Sequence, residues 1–214
     1  LLEVLNEMHK KFRELVYLKL LNEKEAYTIS DDAPEFTFSA GVAIAHYKEP
    51  LKLVLESARE AEKEAKRSGP DSFSISVIRH SGGTTRTVLP FGGSEAITLT
   101  ALCATVQALQ KGDFSNKFIH QFIRETAYLK HFPSPEAMYT ENRRLISRAC
   151  NLKDAAADKA IKELSRQMIH LLPGNREKPP DRSRIQQFNS ALRIADFISR
   201  STKTKKQPHA EPTP

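Results

Sequence analysis

Phe36-Thr37-Phe38-Ser39-Ala40-Gly41-Val42-Ala43-Ile44-Ala45 is apolar at most positions and carries its smallest side chains in the middle. The run follows the polar stretch Asp31-Asp32-Ala33-Pro34 and ends at His46-Tyr47, so it reads as a strand covered on both faces, suited to the centre of a sheet. Small residues at the centre of such a strand let a helix or a ligand approach its backbone closely.

Outward from that strand the periodicity changes in both directions. Leu1, Leu5, Met8, Phe12, Leu15 and Val16 recur at helical spacing, which predicts an amphipathic helix over 1–21. It starts at Leu1 rather than Met with no capping residue ahead of it, and we expect a chain that begins mid-protein. On the other side, Pro50 opens a helix to Ser68 whose small-residue face includes Ala58, Ala61 and Ala65, and Gly69-Pro70 stops it. Phe73, Ile75 and Val77 then alternate with serines, and Ser81-Gly82-Gly83 turns the chain into Thr84 to Phe91, the signature of a hairpin.

Gly92-Gly93 marks a change of regime, because every periodic segment after it has helical spacing. Five helices are expected, near 94–111, 115–129, 135–150, 153–172 and 183–200, separated by Gly112, Pro133, Asn151 and the 173–180 segment. The expected organisation is therefore an α/β unit over 1–91, an all-α bundle over 92–201 and a disordered polar tail over 202–214. Three strands leave much uncovered edge, so further strands from an upstream segment of the same protein are expected to complete the sheet.

Composition narrows the function. The formal net charge is +7, and the excess lies wholly after residue 91, where Lys and Arg outnumber Asp and Glu by eight. Such a surplus suits a polyanion such as RNA, or simply a well-solvated surface. Cys103 and Cys150 have no Cys or His neighbour at metal spacing, and no apolar run reaches bilayer length. Neither zinc nor a membrane is expected, and a reducing cytoplasm fits best. No Ser-His-Asp or Cys-His arrangement emerges, Gly82-Gly83 reads as a turn, and His46 reads as a structural histidine.

Two stretches carry a family resemblance. Ser39-Ala40-Gly41-Val42-Ala43-Ile44-Ala45-His46-Tyr47-Lys48-Glu49-Pro50-Leu51, and Ala61-Glu62-Lys63-Glu64-Ala65-Lys66 followed by Phe73 to Ser81, resemble the second palm domain of the large subunit of type III CRISPR RNA-guided effector complexes, closest to the Cmr branch. Phe188-Asn189-Ser190-Ala191-Leu192-Arg193-Ile194-Ala195-Asp196-Phe197-Ile198 is similar to the end of that family's helical last domain. The resemblance implies the second half of a ferredoxin-like, GGDEF-like palm followed by an all-α domain. It also implies an enzyme that joins ATP into cyclic oligoadenylates with Mg or Mn when the complex binds target RNA.

The family's catalytic turn, Gly-Gly-Asp-Asp, occurs nowhere in this chain; Asp31-Asp32 lacks the glycine pair and reads as a loop. Two-metal phosphoryl transfer needs carboxylates holding ions about 4 Å apart. The chain alone is therefore expected to be inactive, with no catalytic or metal-binding residue of its own, and ATP and its metal ions held mainly by residues outside it. The implied nucleotide contacts are Lys66, in the place of the family's Ala-Lys lysine, with Ser39, Ala40 and Gly41 as pocket lining and Arg67 as a loose substitute for a second cation, since Pro70 stands where the family has a basic residue. Lys66 is also four residues from Glu62, the spacing of an ordinary helical ion pair. Arg143, Arg144 and Arg148 are candidates for RNA phosphates. Expected partners are the upstream half of the subunit, other effector subunits, and guide and target RNA. A non-catalytic palm-derived scaffold is the alternative, and a plain second-messenger cyclase fragment is disfavoured by the helical half.

Overall fold

The computed structural model describes residues 1–17, 37–93, 95–174 and 179–201. The chain begins with α1 (Leu2–Phe12), which runs into a π-helical turn at Arg13–Tyr17. Strand β1 (Ala40–Ile44) leads through α2 (Leu51–Ser68) to the hairpin β2 (Ser72–Ile78) and β3 (Thr84–Pro90). The helices α3 (Ile97–Lys111), α4 (Lys117–Thr126), α5 (Pro135–Ala149), α6 (Asp154–Ile169) and α7 (Arg182–Ser201) follow. The mixed α/β architecture with a helical second half is thus the one the sequence predicts. Phe36, the Asp31-Asp32 loop and the tail over 202–214 lie outside the described residues.

The sheet has the order β1-β2-β3, with β1 parallel to β2 and β3 antiparallel to β2. Alternation divides it into two chemically different faces. Phe73, Ile75 and Val77 on β2 stand beside Ala40, Val42 and Ile44 on β1, and this apolar face joins the main core. The opposite face is small and polar, with Gly41 and Ala43 beside Ser74 and Ser76, and α2 lies over it. A Cβ added at Gly41 would sit 2.2 Å from the Glu62 amide nitrogen and 2.5 Å from the Ala58 carbonyl oxygen. Only glycine lets the helix come that close. Ser57 and Ser76 hydrogen-bond at 2.9 Å beneath the helix, and Arg86 on β3 reaches up to Glu60 at 3.1 Å and Glu64 at 2.7 Å.

Among the described residues β2 is the middle strand and is buried at all seven positions, while β1 is half-buried throughout and pairs on one side only. One expectation needs correction. The apolar stripe of α1 is rotated from the expected one. Leu2, Leu5 and His9 face inward, whereas Leu1, Met8 and Leu15 are exposed. His9 explains the rotation, because it is fully buried, stacks on Phe91 at 4.2 Å and places Nε2 2.7 Å from Asp71 Oδ1. The Asp71 carbonyl in turn accepts the Phe91 amide at 2.8 Å, so one residue ties α1 to both ends of the hairpin.

The five later helices follow the expected breaks. Ser134 caps α5 by accepting from the Ala137 amide at 3.1 Å, with Pro135 in the first turn. Helix α7 lies along β3, and a single buried cluster runs from Leu2 and Leu5 through Phe73, Ile75 and Leu89 to Phe118, Phe122, Phe188 and Ala195. The core is therefore continuous across the change from strand to helix at Gly92-Gly93.

Candidate functional site

The residues expected near a nucleotide do not share one surface. Helix α2 connects the end of β1 to the start of the parallel strand β2, so it must run antiparallel to both. Its last turn, with Lys66 and Arg67, therefore lies by the start of β1 next to Ser39, while His46 and Tyr47 lie at the far end. Along the strand, Ala40 joins the apolar core face and Gly41 presses against α2. The structure gives Gly41 a packing role, and Ser39 is the half-buried residue of the three that stands ahead of the strand.

Lys66 and Arg67 are exposed. Lys66 Nζ donates to Glu62 Oε1 at 2.7 Å, and that hydrogen bond, together with the charge, holds the Glu62 carboxyl below its usual range. The pair is the solvated helical pair that the spacing alone permits. A phosphate reaching Lys66 would compete with Glu62 for the same ammonium.

A cavity of about 600 Å³, unforeseen from the sequence, opens between α2 and the hairpin. Glu49, Glu56, Glu60 and Glu64 line it against Arg79 and Arg86. Arg86 is already held by two of these carboxylates, so the lining carries an excess of negative charge that disfavours phosphate. At its rim His80 Nδ1 lies 3.5 Å from Glu49 Oε1, and His46 accepts the Lys48 amide at 3.3 Å. His46 thus turns its Nδ1 to a local backbone turn. Among the described residues no group of three or more His, Cys, Asp or Glu side chains is placed to hold a metal ion. The described side chains do not fit a two-metal centre.

In the helical half, the three clustered arginines separate. Arg144 is tied to Glu141 through Nε at 2.8 Å and to Glu125 at 3.1 Å, and its hydrogen bond holds the Glu141 carboxyl below the ordinary range. Its charge is spent within the fold. Arg143 and Arg148 are exposed. Arg184 is a structural residue, its Nε donating to the Pro173 carbonyl at 2.6 Å.

The decisive comparison concerns the strand and helices just described. Residues 1–74, spanning α1, β1, α2 and the start of β2, match the family model described as Cas10/Cmr2, second palm domain. This region is similar to the Cas10/Cmr2 second palm domain. The match supports a large-subunit piece of a type III CRISPR effector, a multi-subunit assembly, and agrees with the resemblance carried by Ser39 to Leu51. No curated protein matches the chain. Among the described residues no helix is long and apolar enough to cross a membrane.

What the sequence did not disclose is the long-range pairing of its side chains. His9 and Asp71 are 62 residues apart, and Thr87 and Gln187 are 100 apart. Neither carries a local signal, because each looks like an ordinary surface polar residue until the helices are placed.

Proposed function

We infer that the chain is the C-terminal portion of a type III CRISPR large subunit, most similar to the Cmr branch, and supplies half of a palm that makes cyclic oligoadenylates from ATP when target RNA binds. The observation that supports this reading is β1. It is a strand of small and apolar residues inside a region matched to a Cas10/Cmr2 palm, and its outer edge is unpaired among the described residues. An apolar strand left at an edge needs a partner, because its free amides and carbonyls otherwise stay exposed beside apolar side chains. The upstream half of the palm would supply that strand, and with it the carboxylates for Mg or Mn. ATP would then lie near the start of β1, with Lys66 turning from Glu62 to a phosphate and Ser39 beside it. The helical half would contact neighbouring subunits and RNA.

The test uses the complete large subunit in its assembled complex with target RNA and radiolabelled ATP. Cyclic product is expected from the intact complex. Lys66→Ala is expected to lower incorporation about tenfold, the order of a lost charge-assisted phosphate contact, with assembly unchanged. Glu62→Gln, which releases Lys66, is expected to lower the KM for ATP. Product formation that ignores both changes would remove Lys66 from the site, and a complex that makes no product would overturn the synthase reading.

One observation favours a second reading, a palm kept as a non-catalytic scaffold. Lys66 is already satisfied by Glu62, as it would be on a surface with no nucleotide to meet. An upstream half without Gly-Gly-Asp-Asp would decide for the scaffold.

A further inference from the structure

The cavity between α2 and the hairpin is a groove with two unlike walls. On the helix side Glu56, Glu60 and Glu64 follow one another at intervals of one turn, with the half-exposed Leu53 on the same face; on the strand side stand Ile78, Thr84 and Arg86. Glu49 and Arg79 bring the lining to four carboxylates against two guanidiniums, a surplus of negative charge. Arg86 takes up Glu60 and Glu64. Among the described residues Glu56 makes no ion pair, and Glu49 meets His80 at 3.5 Å.

A second feature adjoins the strand wall. Among the described residues β3 is the last strand of the sheet, and it pairs with β2 on one side only. Its other margin meets Gln187 of α7 at the Val88 amide. Amides two residues apart on a strand point to the same side, so Arg86 and Thr84 turn their backbone groups to that same margin, ahead of the point where Gln187 closes it. The side chains of these two residues stand on the α2 face, in the wall of the groove. An unpaired stretch of backbone and an acidic flank therefore lie side by side.

A strand added at this margin sets alternate side chains on one face about 7 Å apart, and the glutamates of α2 repeat about every 6 Å along the helix axis. The two repeats match over a few residues. We propose that the groove and the adjoining margin of β3 dock an extended segment of a partner protein that carries Lys or Arg at alternate positions. The backbone of that segment pairs at Thr84 and Arg86 and stops short of Val88. Its basic side chains turn toward α2 to meet Glu56 and Glu49, with their methylene stems along Leu53. Arg86 shows the same chemistry within the chain, a strand side chain whose guanidinium reaches across to Glu60 and Glu64. The inference holds for a synthase and for a scaffold alike, because none of these groups belongs to the nucleotide site.

The test is the fluorescence anisotropy of a labelled peptide of alternating threonine and lysine, titrated with the full chain at low salt. Glu49→Gln/Glu56→Gln is expected to weaken binding about tenfold, the order of two partly exposed ion pairs. Glu7→Gln/Glu163→Gln, which removes the same charge elsewhere on the surface, is expected to leave it within about twofold. A peptide of equal composition with its lysines grouped together is expected to bind about tenfold more weakly. Methylating the backbone nitrogens of one alternate set of peptide residues is expected to abolish binding and methylating the other set to spare it, since only one edge of the peptide faces β3. Equal loss from the two glutamate pairs would overturn the proposal by making the attraction one of overall charge. Equal tolerance of both methylated sets would overturn the pairing with β3. A chain truncated after Ser201 that bound the peptide more tightly would assign the groove to the chain's own Lys203, Lys205 and Lys206 and overturn the partner.

Discussion

Gln187 on α7 places its side-chain oxygen 3.1 Å from the Val88 amide of β3, while its own carbonyl accepts the Thr87 hydroxyl at 3.1 Å. A helix side chain here takes the part of a neighbouring strand at one amide of the outer margin of β3. Replacing Gln187 with Leu keeps most of the volume and leaves the half-buried Val88 amide without an acceptor. The expected cost is about 1 kcal/mol, read as a lower urea midpoint with an unchanged slope. An unchanged midpoint would mean that water serves the amide equally well.

Gly41 meets α2 so closely that one methyl group cannot be admitted. The obstructing atoms are the backbone of Ala58 and Glu62, which cannot swing aside as a side-chain tip can. Gly41→Ala is expected to destabilise the fold by about 3 kcal/mol, the upper range for overpacking, measured by chemical denaturation. A loss under about 1 kcal/mol would show that α2 can lift from the sheet at little cost.

Asn142 is 1% exposed on the inner face of α5, and among the described residues neither polar atom of its side-chain amide finds a partner. Burying an unsatisfied amide is unfavourable, so Asn142→Leu is expected to stabilise the chain by about 1 kcal/mol. For a chain of this size that corresponds to a rise in melting temperature of about 3 °C. Calorimetry that showed a fall instead would reveal a polar partner that the variant had lost.

Arg144 gives a pH-dependent prediction. Its hydrogen bond to Glu141 holds that carboxyl below its ordinary value of 4.5 in the folded state. A depressed carboxyl contributes stability above the unfolded value and loses it as the pH falls through the folded one. Arg144→Gln is therefore expected to be less stable than the parent at pH 7 and to converge with it as acid protonates Glu141. Parallel stability curves across that range would assign the arginine's contribution to packing alone.

The local elements were legible because each has its own period. The Phe73, Ile75, Val77 alternation, the glycine pair of the hairpin and the breaks at Gly112 and Pro133 all act within a few residues, and the elements follow them. The position of β1 in the sheet was not legible, since an apolar strand looks the same in sequence whether or not its second neighbour belongs to the same stretch of chain. The face of α1 was misread because His9 is polar by composition and becomes a core residue only when Asp71 and Phe91 stand beside it. Among the candidate site residues, the spacing of Glu62 and Lys66 foretold their ion pair. The engagement of Arg144 with Glu125, nineteen residues away on another helix, had no such signal.

The capped Val88 amide and the open β1 margin set the two sides of the sheet apart. Two copies that met through their β1 strands would form a joint sheet of six strands, with a Gln187 side chain set against Val88 at both extremities. A further strand arriving there would have to displace that side chain before it could pair along the middle of β3.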